Sequence, residues 1–144
     1  MTTNKISQDP LKCSAPPEKH GRYLYVHPSG LKARDEYWMN GKRHGLEMEW
    51  NEEGSEVMEA HWKHGKRHGP HHMYHANGAL AITTHWEHRL ENGLVKGWHP
   101  NGDKWFEIPY DHGVKHGLEW GRTFDGKDLP FKMWVHGVEV SQDN

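Results

Sequence analysis

Four rows of residues recur along this chain at one fixed spacing of 24, and no other property of the sequence restricts the fold as strongly. Gly21, Gly45, Gly69, Gly93 and Gly117 form the first row, and Gly30, Gly54, Gly78, Gly102 and Gly126 the second. The third stays aromatic: Trp38, Trp62, Trp86, Tyr110 and Trp134. The fourth, Gly41, Gly65, Gly113 and Gly137, is broken only by Arg89. Rows in one register without insertions mark a stacked repeat, in which each unit buries its apolar surface against its neighbours.

Each unit reads as a β-hairpin. Segments such as Leu46 to Asn51, Pro70 to His75 and Leu94 to His99 form first strands, with Leu46, Met48 and Trp50 alternating against Glu47 and Glu49. Turns follow at Pro28-Ser29-Gly30, Ala76-Asn77-Gly78, Pro100-Asn101-Gly102 and Phe124-Asp125-Gly126. There a type I turn with glycine in the left-handed position suits the sequence. Second strands run from Val57 to Lys63 and from Lys104 to Tyr110, and a tight turn such as His64-Gly65-Lys66-Arg67-His68-Gly69 leads into the next unit. Five hairpins predict about ten antiparallel strands in an elongated all-β sheet of ~48 Å at ~4.8 Å per strand. The array spans residues 21–140, between a flexible tail at 1–20 and a short one at 141–144.

Composition bounds the function. The chain is only 33% hydrophobic, with eight Trp, fifteen His and sixteen Gly. Its mean hydropathy is −1.07. That predicts a thin structure stabilised by rows of rings rather than by a thick aliphatic core. A net charge of −2 offers no global field for nucleic acid, and none is expected as a partner. One cysteine, Cys13, excludes an internal disulfide framework and fits a reducing compartment. No apolar run reaches the length of a spanning helix, and Met1 to Pro10 lacks a signal-peptide core, so a soluble cytoplasmic protein is expected.

The recurring units Trp38-Met39-Asn40-Gly41-Lys42-Arg43-His44-Gly45, Trp62-Lys63-His64-Gly65-Lys66-Arg67-His68-Gly69, Tyr110-Asp111-His112-Gly113-Val114-Lys115-His116-Gly117 and Trp134-Val135-His136-Gly137 resemble the MORN (membrane occupation and recognition nexus) repeat. They are most similar to the bacterial variant of YwqK-like proteins. The resemblance implies a rod-like array of hairpins acting as a protein-interaction or scaffold module. It also implies two alternatives: lipid association, and a small antitoxin-like or viral accessory factor that neutralises a partner enzyme. The fourth unit departs from the pattern at Arg89-Leu90-Glu91-Asn92, and the junction from Glu87 to Gly93 is expected to be conformationally different.

Candidate chemistry is sparse. Histidines bracket the connecting turn, but equivalent residues lie two strands or ~9.6 Å apart, whereas zinc ligands sit ~2.0–2.1 Å from the ion. No metal site is assigned, and a structural role for the imidazoles is expected. No oriented nucleophile–base pair, phosphate loop or cysteine cluster is present, so no catalytic residue or cofactor is assigned and a non-enzyme is expected. Glu47, Glu49, Glu52, Glu53, Glu56 and Glu59 read as a solvated acidic patch. Lys42, Arg43, Lys66, Arg67 and Lys115 line one edge, where anionic lipid headgroups are an alternative ligand.

Strand parity puts the aromatic row on one packed face with Trp50, Tyr74 and Trp98. Tyr23, Tyr25, Tyr37, His61, His85, Trp105, Phe131 and Met133 fall on the other, either as an exposed strip or as a second packed layer near the C-terminus. Tyr25, Tyr37, His61, His85 and Trp105, together with Arg89 at the break in the repeat, are the candidate partner-binding residues. The expected partner is another protein, with self-association through a terminal edge strand as a further route. Fifteen histidines make such binding sensitive to mild acidification.

Overall fold

The computed structural model describes residues 18–140, so residues 1–17 of the tail expected at 1–20, Cys13 included, and the tail expected at 141–144 lie outside the described residues. It is all-β. The first unit contributes β1 (Gly21–Val26) and β2 (Lys32–Met39), and a stub, β3 (Lys42–Arg43), leads to the second, β4 (Gly45–Trp50) and β5 (Glu56–Lys63). The third has β6 (Lys66–Tyr74) and β7 (Leu80–Glu87), and a stub, β8 (Leu90–Glu91), precedes β9 (Gly93–Trp98) and β10 (Lys104–Asp111). A stub β11 (Val114–Lys115), β12 (Gly117–Gly121), β13 (Lys132–Val135) and β14 (Val138–Val140) complete the array. All pairing is antiparallel within one 14-stranded sheet, and each stub shares its partner with the strand that follows it: β3 and β4 pair with β2, β8 and β9 with β7, β11 and β12 with β10. No helix among the described residues is long and apolar enough to cross a membrane.

Two alternating turns build this sheet. At one end, Gly30, Gly54, Gly78, Gly102 and Gly126 take φ between 82° and 88°. Each donates its N–H to the carbonyl three residues earlier, as Gly54 does to Asn51 (3.0 Å) and Gly102 to His99 (2.8 Å). This is the expected type I turn closed by a left-handed glycine. At the other end, two successive residues have positive φ: Asn40-Gly41 (49°, 71°), His64-Gly65 (51°, 77°), His112-Gly113 (48°, 84°) and His136-Gly137 (47°, 81°). That pair defines the two-residue type I′ turn, whose twist matches the strands it joins.

Four residues beyond the second residue of each of the first four type I′ turns comes the first glycine row, at φ of 89° to 115° in Gly45, Gly69, Gly93 and Gly117. These are bulges. They split three incoming strands into a stub and a main strand, β6 alone running through its bulge unbroken; with β14 beyond the last type I′ turn this makes fourteen strands rather than ten. The bulges also explain why two sequence rows share a period. Gly21 pairs with Trp38, Gly45 with Trp62, Gly69 with Trp86, Gly93 with Tyr110 and Gly117 with Trp134. Every aromatic of the row faces a glycine across the ladder.

Register corrects the expected polarity of the faces. Glu47 pairs with Ala60 and Glu49 with Met58, placing both carboxylates on the face of Trp62. Leu46 and Met48, expected to share the packed face, pair with His61 and Glu59 on the opposite one. Glu47 is only 3% exposed and Glu49, Glu56 and Glu59 are half-buried, so the acidic patch read as solvated is partly interior; Glu36, outside that patch, is 1% exposed. Among the described residues the one fully buried hydrophobic side chain is Ala60. A single sheet has no second layer, and its large side chains must lie over their own neighbours.

Gly97 shows how tightly. A Cβ built there would lie 2.3 Å from the Phe106 ring, its cross-strand partner. Where the equivalent position carries a side chain, Met73, the partner shrinks to Ile82.

The break at Arg89 does not change the turn, contrary to expectation. His88-Arg89 adopts the same type I′ geometry (50°, 78°), and β8 pairs with Trp86 and Glu87 as its counterparts do. A non-glycine residue held left-handed costs about 1–2 kcal/mol. Arg89→Gly is therefore expected to raise the unfolding free energy by about 1 kcal/mol in urea titration, and an unchanged or lower value would contradict this reading of the turn.

Candidate functional site

The tryptophan face is built from one recurring contact. Each type I′ hairpin sets its aromatic opposite a residue five positions later: Trp38 against Arg43, Trp62 against Arg67, Trp86 against Glu91, Tyr110 against Lys115. Arg43 lies 5.7 Å from the Trp38 ring centroid and 5.0 Å from that of Trp62. Arg67 stands 5.7 Å from Trp62 and 5.3 Å from Trp86. Lys19 caps Trp38 at 4.5 Å and Lys115 covers Trp134 at 4.4 Å. Cation and ring thus alternate across the units, with each such contact worth about 0.5–2 kcal/mol. Glu91 interrupts the cationic row before Lys115, and Glu139 stands opposite Trp134 in the last hairpin.

Carboxylates complete this layer. Glu47 accepts the indole N–H of Trp62 (2.6 Å), and Arg34 and Arg43 stand 3.8 and 3.5 Å away. Glu119 accepts from Trp134 (2.7 Å) and pairs with Lys115 (2.7 Å). Trp86 donates to Thr84 Oγ1 (2.9 Å). Tyr110, the one member of the row without an indole N–H, has apolar residues, Val95 and Ile108, at the equivalent positions. Burial opposes ionisation of Glu36, but the Trp38 indole, the Tyr25 hydroxyl, Lys19 and Arg43 together outweigh it, and its pKa falls below the usual carboxylate range.

Six of the fifteen histidine rings join one unit to the next across 20 to 23 residues. His20, His44 and His116 accept through Nδ1 from the backbone N–H of Asn40, His64 and His136, each at 3.3 Å and each 20 residues on. At the opposite end His27 and His75 contact the carbonyls of Trp50 (2.9 Å) and Trp98 (2.8 Å) through Nε2, and His99 that of Arg122 at 3.5 Å. The structural role expected of these rings is their observed one. Residues 18–20, counted with the tail in sequence, belong to this scheme, because the Lys19 carbonyl also accepts from Gly41 (2.9 Å).

The candidate partner-binding residues separate. Tyr37, His61 and His85 lie on the face opposite the tryptophans. Their cross-strand partners are Arg22, Leu46 and Pro70, and the row continues as Leu94–Pro109 and Leu118–Met133. From Leu46 to Met133 this stripe carries no formal charge, whereas the adjacent row contains Glu59, Lys96 and Glu107. Tyr37, Leu94, Leu118 and Met133 are between 37% and 46% exposed. Sequence parity had found the aromatic and His members but not Leu94, Leu118 and Pro109, whose period-24 spacing was the available signal.

Tyr25 belongs elsewhere. It pairs with Arg34 on the tryptophan face, and its hydroxyl donates to Glu36 (2.9 Å). Tyr23, opposite Glu36, is displaced in the same way. Trp105 lies near the far end of β10, stacked on His99 at 5.4 Å, and borders a cleft of about 360 Å³ with Phe106, Trp120 and Leu129. That cleft opens where Leu129 to Phe131 leave the ladder after the Arg122–Asp128 bridge and β13 shortens to four residues. Phe131 is 57% exposed, so the second packed layer considered near the C-terminus does not form. Arg89 sits at a turn tip, apart from the stripe.

The basic turn residues also divide. Arg43, Arg67 and Lys115 turn inward onto the rings, whereas Lys42 and Lys66 remain exposed. No group of three or more His, Cys, Asp or Glu side chains among the described residues is placed to share a metal ion. No protein-family model matches the chain, and no curated protein matches it either.

His71 supplies a pH test of the interior. It is 8% exposed, opposite Thr84, and burial together with Arg67 and His72 lowers its pKa to about 4. A base whose pKa falls on folding stabilises the protein fully above its unfolded value near 6.5 and loses that contribution as pH drops toward 4. Between pH 7.5 and 5 this amounts to about 2 kcal/mol. His71→Val, which copies Val95 at the equivalent position, is expected to flatten the stability–pH profile by that amount. Parallel profiles in denaturant titrations would contradict the assignment.

Proposed function

We propose that the chain is a non-catalytic protein-interaction module built from MORN-like hairpin repeats, with the face opposite the tryptophans as its working surface. One observation supports this reading: the uncharged stripe of Leu46–His61, Pro70–His85, Leu94–Pro109 and Leu118–Met133 crosses eight paired strand positions without a carboxylate or ammonium group. Charge depletion at the centre of a patch with a charged border is the compositional mark of a protein interface. The half-exposed Tyr37 at its start adds an aromatic of the kind that carries binding energy. The ion pairs and indole bonds described above are engaged in holding the array together, and they explain the tryptophan face without a ligand. A partner suited to the stripe presents uncharged side chains along a line, in step with a two-strand repeat of ~9.6 Å.

The test compares equally exposed apolar positions on the two faces. Leu94→Glu and Leu118→Glu place charge in the stripe, whereas Met73→Glu places it on the tryptophan face. Immobilised wild-type and variant proteins of verified fold are exposed to source lysate, and the retained proteins are quantified by mass spectrometry. The expected result is a retained species lost at least tenfold with either stripe variant and kept with Met73→Glu. Retention that ignores the stripe variants would remove the basis of the proposal.

A further inference from the structure

The junction between the second and third units differs from the other four in charge, in pairing and in closure. Lys63 and Lys66 face each other across its type I′ turn. The equivalent pairs are Met39–Lys42, Glu87–Leu90, Asp111–Val114 and Val135–Val138. Like charges directly opposite on a sheet are destabilising. Only at this junction does the ladder set two ammonium groups against each other.

Behind the pair, Arg67 is half-buried between Trp62 and Trp86. The ring-stacked cations Lys19, Arg43 and Lys115 each have a carboxylate within 4 Å: Glu36, Glu36 with Glu47, and Glu119. Arg67 has none among the described residues. The positions that supply those acids to the preceding unit, Glu36 and Glu47, are Ala60 and His71 here. A guanidinium taken partly out of water without an anion is costly, and an arriving anion gains what the missing carboxylate would have given.

Closure fails at the same place. Gly41, Gly65, Gly113 and Gly137 donate to the carbonyls of Lys19, Arg43, Glu91 and Lys115, binding each turn to the unit before it. Among the described residues, no such bond joins Arg89 to Arg67, and the His68 ring receives no backbone N–H from His88 as its counterparts do. A cleft of about 220 Å³ remains, lined by Lys63, His64, Lys66, Arg67, His68 and His88. No carboxylate lines it. The adjacent Glu87 is hydrogen-bonded to Asn92 (3.0 Å).

We propose that this cleft is a binding site for a phosphate-class dianion, either inorganic phosphate or a phosphomonoester. The guanidinium fork suits two phosphate oxygens at once, the two ammonium groups lose their mutual repulsion by sharing the anion, and the imidazole N–H groups add donors at the rim. Lys63 and Lys66 project from the stripe's face and Arg67 from the tryptophan face, so the cleft lies at the turn edge of the sheet; no stripe residue lines it, and the site stands independently of the protein-interaction reading. A soluble ester and an exposed phosphomonoester headgroup carry the same chemistry to the cleft.

The experiment titrates the full chain with inorganic phosphate at low ionic strength, following tryptophan fluorescence and Tm. A parallel arm sediments it with phosphatidylcholine vesicles containing phosphatidic acid, with and without free phosphate. Lys63→Gln and Lys66→Gln are the test variants, Arg67→Gln is added if it folds, and Lys127→Gln is the control of equal charge change. The expected result is saturable binding that raises Tm, weakened at least tenfold by Lys63→Gln or Lys66→Gln and unchanged in Lys127→Gln. Binding of soluble phosphate alone assigns a soluble ligand, and vesicle binding relieved by free phosphate assigns a headgroup. Absence of saturable binding in both arms overturns the site. So does binding equally weakened by the control, or vesicle binding indifferent to phosphate.

Discussion

A sheet one layer thick has nothing to bury itself against, and every unusual feature of this protein follows from that constraint. The core is made from side chains lying flat over neighbouring strands, so each hydrophobic surface must be covered from the side. Long cations with apolar stems and planar heads do this well. Arg43 and Arg67 each span two tryptophans of adjacent units. The charges so enclosed then require carboxylates, which is why Glu36 and Glu47 are among the most buried residues of the chain. A thicker protein would have filled the same positions with leucine.

The same constraint assigns the backbone its roles. Bulge glycines face the aromatic row across the ladder, and type I′ turns bring the basic residue onto the ring that precedes it. Imidazoles at both ends of the strands link units 20 to 23 residues apart in sequence. One unit alone would lose the contacts made across its borders, since its cations, carbonyls and histidine acceptors lie partly in its neighbours. Cooperative stability across the array is the consequence. Where the pattern lapses, as at Arg67 and the His88-Arg89 turn, an uncompensated cation and an open cleft appear together.

Much of this was legible in the sequence. The period, the hairpins, the type I turn with its left-handed glycine and the structural use of histidine all follow from residue identity and spacing. The assignment of faces was not. Parity counting placed Leu46 and Met48 inside and Glu47 outside, because apolar residues are normally the buried ones. It also misplaced Tyr23 and Tyr25, since an extra residue at each bulge shifts the phase between strands. Burial of Glu47 depends on Trp62, Arg34 and Arg43 converging from three strands, which no local pattern contains. Arg89 misled for a related reason: neighbouring strand pairing is strong enough to impose a glycine geometry on a residue that disfavours it. Of the candidate surface, Tyr37, His61 and His85 were found by parity, while the leucines and prolines that complete the stripe gave no chemical signal.

The account rests on cation–ring contacts holding adjacent units together, and a double-mutant cycle between Arg43 and Trp62 measures that most directly. Arg43→Gln, Trp62→Leu and the double variant would be compared with the parent by equilibrium urea unfolding. The account predicts a favourable coupling of about 1 kcal/mol or more, because the two residues belong to different hairpins and touch through the stacked face. A coupling within experimental error of zero would mean that the units are held by backbone ladders alone, and the alternation of rings and cations would lose its physical meaning.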